Sequence, residues 1–218
     1  MKKSVALLLF LSCLLVAQTA FAGLDDRRSD ITAKVGEYRM VLDDNGRIWT
    51  KADWEKGGGK ETASTYIYKY TVKDLSVQMD VQYENNIGKK DPYVRTQRFT
   101  PDWSIQVKDL KTYFPEIYAL VTAPEAMVFT TREKLTRNFL DEVSPVTLGV
   151  MVAKEPVSLK GKYVLIGFNV RGEGTLIKDP KLINGDTYIT EIVLEWIYKR
   201  SKNDSTVPSD WKWQNSVF

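Results

Sequence analysis

The sequence contains no histidine and a single cysteine, Cys13, which lies near its start. Zinc and copper sites, Ser-His-Asp hydrolysis and cysteine nucleophiles all need an imidazole or a thiolate. Once the leader described below is removed, the remaining 196 of the 218 residues contain neither group. The sequence therefore predicts no cofactor and no metal site, and it favours a protein that is not an enzyme.

The chain also has little net charge. Without the two lysines of its leader, the 31 basic residues fall to 29 against 28 acidic residues, which is a net charge of +1. A strongly basic surface is the usual requirement for binding nucleic acid or an anionic membrane. The sequence therefore predicts a partner that is neither of these.

The longest apolar run lies at the start of the chain. Two lysines precede residues 5–16, and the small side chains of Ala20 and Ala22 follow. This pattern is typical of a cleaved secretory signal, here residues 1–22, and the run is too short to span a bilayer. The sequence predicts a periplasmic or secreted protein with no stable membrane insertion, and a lipid on Cys13 is the alternative.

Two other apolar runs predict the centre of the fold. Residues 146–153 and 162–170 are mostly β-favouring, apolar on both faces and bounded by prolines and glycines. Such runs are typical of interior strands of a covered sheet.

Alternating side chains predict a second pair of strands over residues 65–72 and 75–83. Tyr66, Tyr68 and Tyr70 share one face of the first strand. Tyrosine offers rigid contact area with a polar tip, so this row is a candidate binding surface, and burial in the core is the more common alternative.

A hairpin is predicted where residues 43–46, Asp-Asp-Asn-Gly, join two short strands over residues 37–42 and 47–52. The acidic turn resembles part of a calcium loop. Val41 and Ala52 would occupy its first and last ligand positions, and neither side chain can bind calcium. The turn is therefore the preferred interpretation.

Helix signals are fewer. Thr100 and Pro101 predict the start of a helix that ends at Pro115. A short strand is predicted over residues 117–121. A second helix is predicted over residues 131–143. This second helix, between two apolar segments, is compatible with a strand-helix-strand crossover or, equally, with a connection between elements of a mixed sheet. Residues 187–200 fit a strand or a helix, and their β-branched and aromatic content favours the strand.

These elements predict an α+β fold with a mainly antiparallel or mixed sheet and about two helices. After the signal, residues 23–36 are predicted to be a flexible lead-in, residues 37–200 a single domain, and residues 201–218 a polar tail with aromatic residues. A small N-terminal hairpin unit in front of the domain is the alternative division.

Three functions remain open. A non-catalytic protein-binding or accessory module of the cell envelope is favoured, with Trp211 and Trp213 of the tail as further candidate binding residues. A carboxylate-based hydrolase is an alternative, with Glu173 between two glycines and Asp80 or Asp186 as a second acid. A carrier of a small apolar ligand is the third.

Overall fold

A computed structural model describes residues 24, 26–57, 64–83, 91–124, 126–131, 147–153, 162–171, 183–198 and 212–213. These residues form a mostly antiparallel sheet with four short helices and one 3-10 turn. No helix in this part of the chain is long and apolar enough to cross a membrane.

The sheet has eleven strands, four of which are no longer than three residues. They are β1 (Met40–Leu42), β2 (Ile48–Thr50), β3 (Thr65–Val72), β4 (Leu75–Tyr83), β5 (Val94–Pro101), β6 (Ile105–Gln106), β7 (Met127–Thr131), β8 (Thr147–Ala153), β9 (Lys162–Arg171), β10 (Tyr188–Tyr198) and β11 (Lys212–Trp213). Their order is β11-β7-β8-β9-β10-β5-β4-β3-β1-β2, with β6 paired to β10. Every pairing between described strands is antiparallel.

The helices are α1 (Arg28–Val35), α2 (Lys51–Lys56), α3 (Leu110–Tyr113) and α4 (Pro115–Val121), and the 3-10 turn is Val107–Asp109. Their apolar side chains pack on one face of the sheet, which we call the core face. It is formed by alternate strand residues that are buried and apolar, among them Met79, Phe99, Ile166, Phe168 and Ile192. The opposite face, which we call the cleft face, carries polar alternates of β4 and β5 together with the buried apolar residues Ile67, Leu165 and Val193.

The two predicted strand pairs are confirmed. Strands β8 and β9 pair within the sheet, and in β3 and β4 the tyrosine row and the apolar row of β4 share the core face. The ambiguous segment is also a strand, since β10 pairs with both β5 and β9.

The predicted acidic turn is confirmed as well. The Asp43 carboxylate accepts hydrogen bonds from the backbone N–H groups of Asn45 at 3.0 Å and Arg47 at 2.9 Å, and from Trp49 Nε1 at 2.8 Å. These bonds, led by the one from Trp49, lower the pKa of Asp43. The carboxylate thus closes the turn between β1 and β2.

Residues 28–35 form helix α1 where we predicted a flexible lead-in. Its Ile31 side chain is fully buried, and Asp30 accepts a hydrogen bond from the Arg27 N–H at 2.8 Å. The segment also hydrogen bonds to the sheet, because Trp196 Nε1 donates to the Leu24 carbonyl at 2.9 Å. These three contacts outweigh a composition that is mostly polar.

The segment after residue 100 differs from the prediction. Thr100 and Pro101 end strand β5 and do not begin a helix, because pairing with β4 extends through both residues. Pro115 begins α4 and residues 117–121 are helical, so the predicted strand is wrong. The backbone N–H groups of the first helical turn have no partner within the helix. Proline has no N–H group, so it suits that position.

The described residues contain four short helices, whereas we predicted about two for the whole chain. Of the two alternatives for this connection, the crossover is excluded, because β7 pairs antiparallel with β8, whereas a crossover joins parallel strands. The helix predicted over residues 131–143 lies outside the described residues, apart from Thr131, which ends β7.

Candidate functional site: a charged cleft

A cleft of about 200 Å³ opens on the cleft face of the sheet. Strands β4, β5 and β10 supply most of its walls, and β1 and β3 supply the rest. Its lining is mainly polar and charged: Leu42, Thr65, Asp80, Gln82, Arg95, Thr96, Arg98, Val193 and Glu195. The mixture of acids and bases in one cavity identifies it as the candidate site.

Strand register explains why these side chains meet. Asp80 of β4 lies opposite Arg98 of β5, and Arg98 lies opposite Val193 of β10. One step along the same face, Thr96 lies opposite both Gln82 and Glu195. Directly opposed residues in antiparallel strands have their side chains on the same face, about 5 Å apart.

Arg95 enters the cleft because of a β-bulge. Gln82 pairs with Thr96 and Tyr83 pairs with Val94, so Arg95 is the extra residue on the β5 side. In a regular strand it would share the core face with Gln97. A bulge redirects a side chain in this way, and bulges are common beside binding and active sites.

An ion pair and a hydrogen bond from a side-chain amide anchor one end of the cleft. Arg98 Nε lies 3.1 Å from Glu191 Oε1, and Asn169 Nδ2 donates to Glu191 Oε2 at 3.0 Å. The Glu191 side chain is only 15% exposed, which strengthens its attraction to the guanidinium. Arg98 therefore has a fixed position in the wall.

Asp80 is a weakly compensated acid of the cleft. Gln78 Nε2 donates to its Oδ1 at 3.0 Å, and within the described ranges the carboxylate forms no ion pair. Burial raises the pKa of Asp80, and the Gln78 bond and the charge of Arg98 oppose that rise without cancelling it. Loss of water around the carboxylate is the dominant influence.

Arg95 is exposed at the edge of the same cavity. No hydrogen bond or ion pair of its guanidinium occurs among the residues whose structure is described. The cleft thus contains one carboxylate and one guanidinium without ionic partners from that part of the chain. A carboxylate and a guanidinium on one wall are suited to binding a ligand that carries both a positive and a negative charge.

The predicted acids are separated in the fold. Asp80 lines the cleft, whereas Asp186 lies in the turn before β10, where its exposed carboxylate pairs with Lys108 Nζ at 2.8 Å. Glu173 lies outside the described residues. Of the three candidate acids, the structure therefore brings only Asp80 to the cleft within the described chain.

The tyrosine row lies on the core face. Tyr66 and Tyr68 are buried, and Tyr70 is half-buried against the same core. The hydroxyls of Tyr68 and Tyr83 are 2.6 Å apart, and burial raises the pKa of Tyr68 to about 12. The Arg28 guanidinium of α1 lies 4.5 Å from the Tyr66 ring centroid. Binding by the tyrosine row stays a prediction.

The aromatic tail is described at one predicted residue only. Trp213 belongs to β11, which pairs with β7 through Phe129, and Trp211 lies outside the described residues. A role of these tryptophans in binding also stays a prediction.

Sequence reasoning missed Arg95, Arg98 and Glu195. We predicted no helix or strand for residues 94–99, and we predicted that a helix begins at Thr100. Alternation of Thr96, Arg98 and Thr100 with Gln97 and Phe99 is the signal that could have identified the strand. Gln97 conceals it, because a glutamine occupies a core position.

The described residues contain no group of three or more acids that could hold a metal ion. Comparison of the sequence and structure with protein-family models, with curated proteins and with solved structures finds no match. The function is therefore argued from the cleft.

Proposed function

We propose that this protein is an exported, non-catalytic binding module of the cell envelope and that the charged cleft is its recognition site. The observation that carries the proposal is the pairing of Asp80 and Arg95 in one cavity, each without an ionic partner in the described chain. A ligand that supplies both missing charges would bind there in place of water. We also assign the fold to the α+β class.

Export is inferred from the leader, with cleavage after Ala22. Support comes from the contacts that begin shortly afterwards, since the Leu24 carbonyl is hydrogen-bonded to Trp196. Separation of cell fractions, followed by N-terminal sequencing of the protein found in the periplasm or medium, tests this inference. A protein that keeps residues 1–22 would contradict it.

The binding role is tested by retention of a partner. The tagged mature protein is crosslinked in the exported fraction and purified, and proteins and small molecules are identified together by mass spectrometry. We expect a stoichiometric component that Arg95→Glu reduces at least tenfold, because the substitution reverses the charge at the edge of the cleft.

Arg39→Glu is the matched control, since Arg39 is also exposed and does not line the cleft. It should leave retention unchanged. Equal retention by the wild type and Arg95→Glu would contradict the proposal. A parallel variant with Trp211→Ala and Trp213→Ala tests whether the tail contributes.

A carboxylate-based hydrolase is the second candidate, and one observation favours it. Asp80 has a raised pKa and shares its cavity with a second acid, Glu195. Two acids that share one cavity, with burial raising the pKa of one of them, are an arrangement that general acid catalysis can use. Turnover of chromogenic ester and glycoside substrates that Asp80→Asn abolishes would establish this function. The carrier of an apolar ligand has no support from the cleft, because seven of its nine lining residues are polar or charged.

A further inference from the structure

The size of the cleft limits what can enter it. A volume of about 200 Å³ has room for about seven water molecules. Pockets for drug-sized ligands are larger, about 300–1,000 Å³. The group that enters is therefore small, of the order of a free amino acid or a lipid headgroup.

The charges of the cleft define the chemistry of the group that enters it. The accessible Asp80 carboxylate is partly removed from water and accepts one hydrogen bond, from Gln78. The neighbouring cation cannot easily compensate it, because the Arg98 guanidinium lies against Glu191. A ligand ammonium group would provide the donors and the charge that Asp80 lacks.

The second recognition point is Arg95. The bulge lies two to three residues along the strands from Asp80, which is about 7–10 Å. The length of an arginine side chain allows its guanidinium to approach a ligand bound at Asp80. Its planar set of donors matches a carboxylate or a phosphate on that ligand.

We propose, building on the binding role above, that the cleft recognises a small zwitterion whose primary ammonium binds Asp80 and whose oxyanion binds Arg95. Two sources share this chemistry, namely free amino acids, which carry a carboxylate, and phosphoethanolamine, which carries a phosphate. Thr65 and Thr96 add hydroxyl groups to the same wall.

Titration calorimetry of the purified mature protein tests the proposal with five probes: glycine, alanine, lysine, glutamate and phosphoethanolamine. We expect at least one to bind, and we expect Asp80→Asn and Arg95→Gln each to weaken its binding about tenfold or more. Which probe binds distinguishes the two sources. Ethylamine and acetate, which each carry one of the two charges, should bind at least tenfold more weakly.

Asp102→Asn and Arg39→Gln are the matched controls, because both residues are exposed and lie outside the cleft. They should bind like the wild type. Asparagine closely matches the shape of aspartate, and Arg95 is exposed, so both cleft variants are expected to fold, which circular dichroism checks. If Asp80→Asn does not fold, Arg95→Gln alone decides the result.

Absence of binding by all five probes would overturn the proposal, as would binding that either folded cleft variant leaves unchanged. The binding role is judged separately. If no zwitterion binds but Arg95→Glu still removes a retained component from the exported fraction, the ligand class is wrong and the binding module stands. If neither result is obtained, both proposals fail.

Discussion

Alternate residues of strand β5 face two different environments. Phe99 is fully buried on the core face, with its ring centroid 5.8 Å from that of Phe114 at the end of α3. Its neighbour Arg98 lies on the cleft face and pairs with Glu191. The comparison teaches that one face of the sheet supplies stability and the other supplies charges, and that a register shift of one residue would exchange them.

The largest expected effect is on the core face. Phe99→Ala removes a buried ring and leaves a cavity, so we expect the free energy of unfolding to fall by about 3–5 kcal/mol. Urea unfolding followed by tryptophan fluorescence measures it. Thr100→Ala, at the next and exposed residue, should change the value by less than about 0.5 kcal/mol. Equal losses at the two positions would break the comparison.

Gln97 is a polar residue on the otherwise apolar core face, and replacing it with an apolar residue should sharpen the comparison between the two faces. Its side chain is fully buried, and neither its Nε2 nor its Oε1 has a hydrogen-bond partner among the described residues. Burying an unpaired polar group costs free energy, so we expect Gln97→Leu to raise the free energy of unfolding by roughly 1–2 kcal/mol.

Gln82→Leu is the corresponding change on the cleft face, where Gln82 Nε2 donates to Thr65 Oγ1 at 3.1 Å. It should give no gain in stability, because the lost hydrogen bond offsets the apolar replacement. A loss of stability in Gln97→Leu would contradict the assignment of this amide as unpaired.

The smallest effect is a pH dependence at Asp80. Burial raises its pKa in the folded state, so between the ordinary aspartate value and the raised one the native state binds more protons than the unfolded state. The free energy of unfolding contributed by Asp80 therefore falls as the pH rises through that window. Asp80→Asn removes this contribution.

Urea unfolding of the wild type and Asp80→Asn over about pH 3–7 measures the effect. We expect the wild-type value minus the variant value to fall with rising pH and then to level off. Acids with lowered pKa values, such as Asp43 and Asp91, oppose this slope equally in both proteins and cancel. A difference that rises with pH would show that Arg98 stabilises the ionised form more than burial opposes it.

Much of the sheet could be predicted because its patterns are local. The alternation in residues 65–72 and 75–83 predicts β3 and β4 with their faces, and the Asn-Gly turn predicts the hairpin of β1 and β2. Strand β10 was harder to predict, since its amino-acid composition suits both a strand and a helix. Pairing with β5 on one side and β9 on the other makes it a strand.

The site could be predicted only in part, because it depends on pairing between distant segments. Asp80 was a candidate acid, but its partners Arg98 and Glu195 come from β5 and β10. The bulge at Arg95 has no sequence signal of its own. Helix α1 was missed for a related reason, since the docking of Ile31 onto the sheet stabilises it more than its composition does.

The central claim is that the cleft face binds while the core face holds the fold. It is tested most directly by measuring both properties of Arg95→Glu, namely retention of the exported-fraction component and the free energy of unfolding. We predict that retention falls at least tenfold while the free energy of unfolding changes by less than about 0.5 kcal/mol. Full retention, or a loss of binding that accompanies unfolding, would contradict the account.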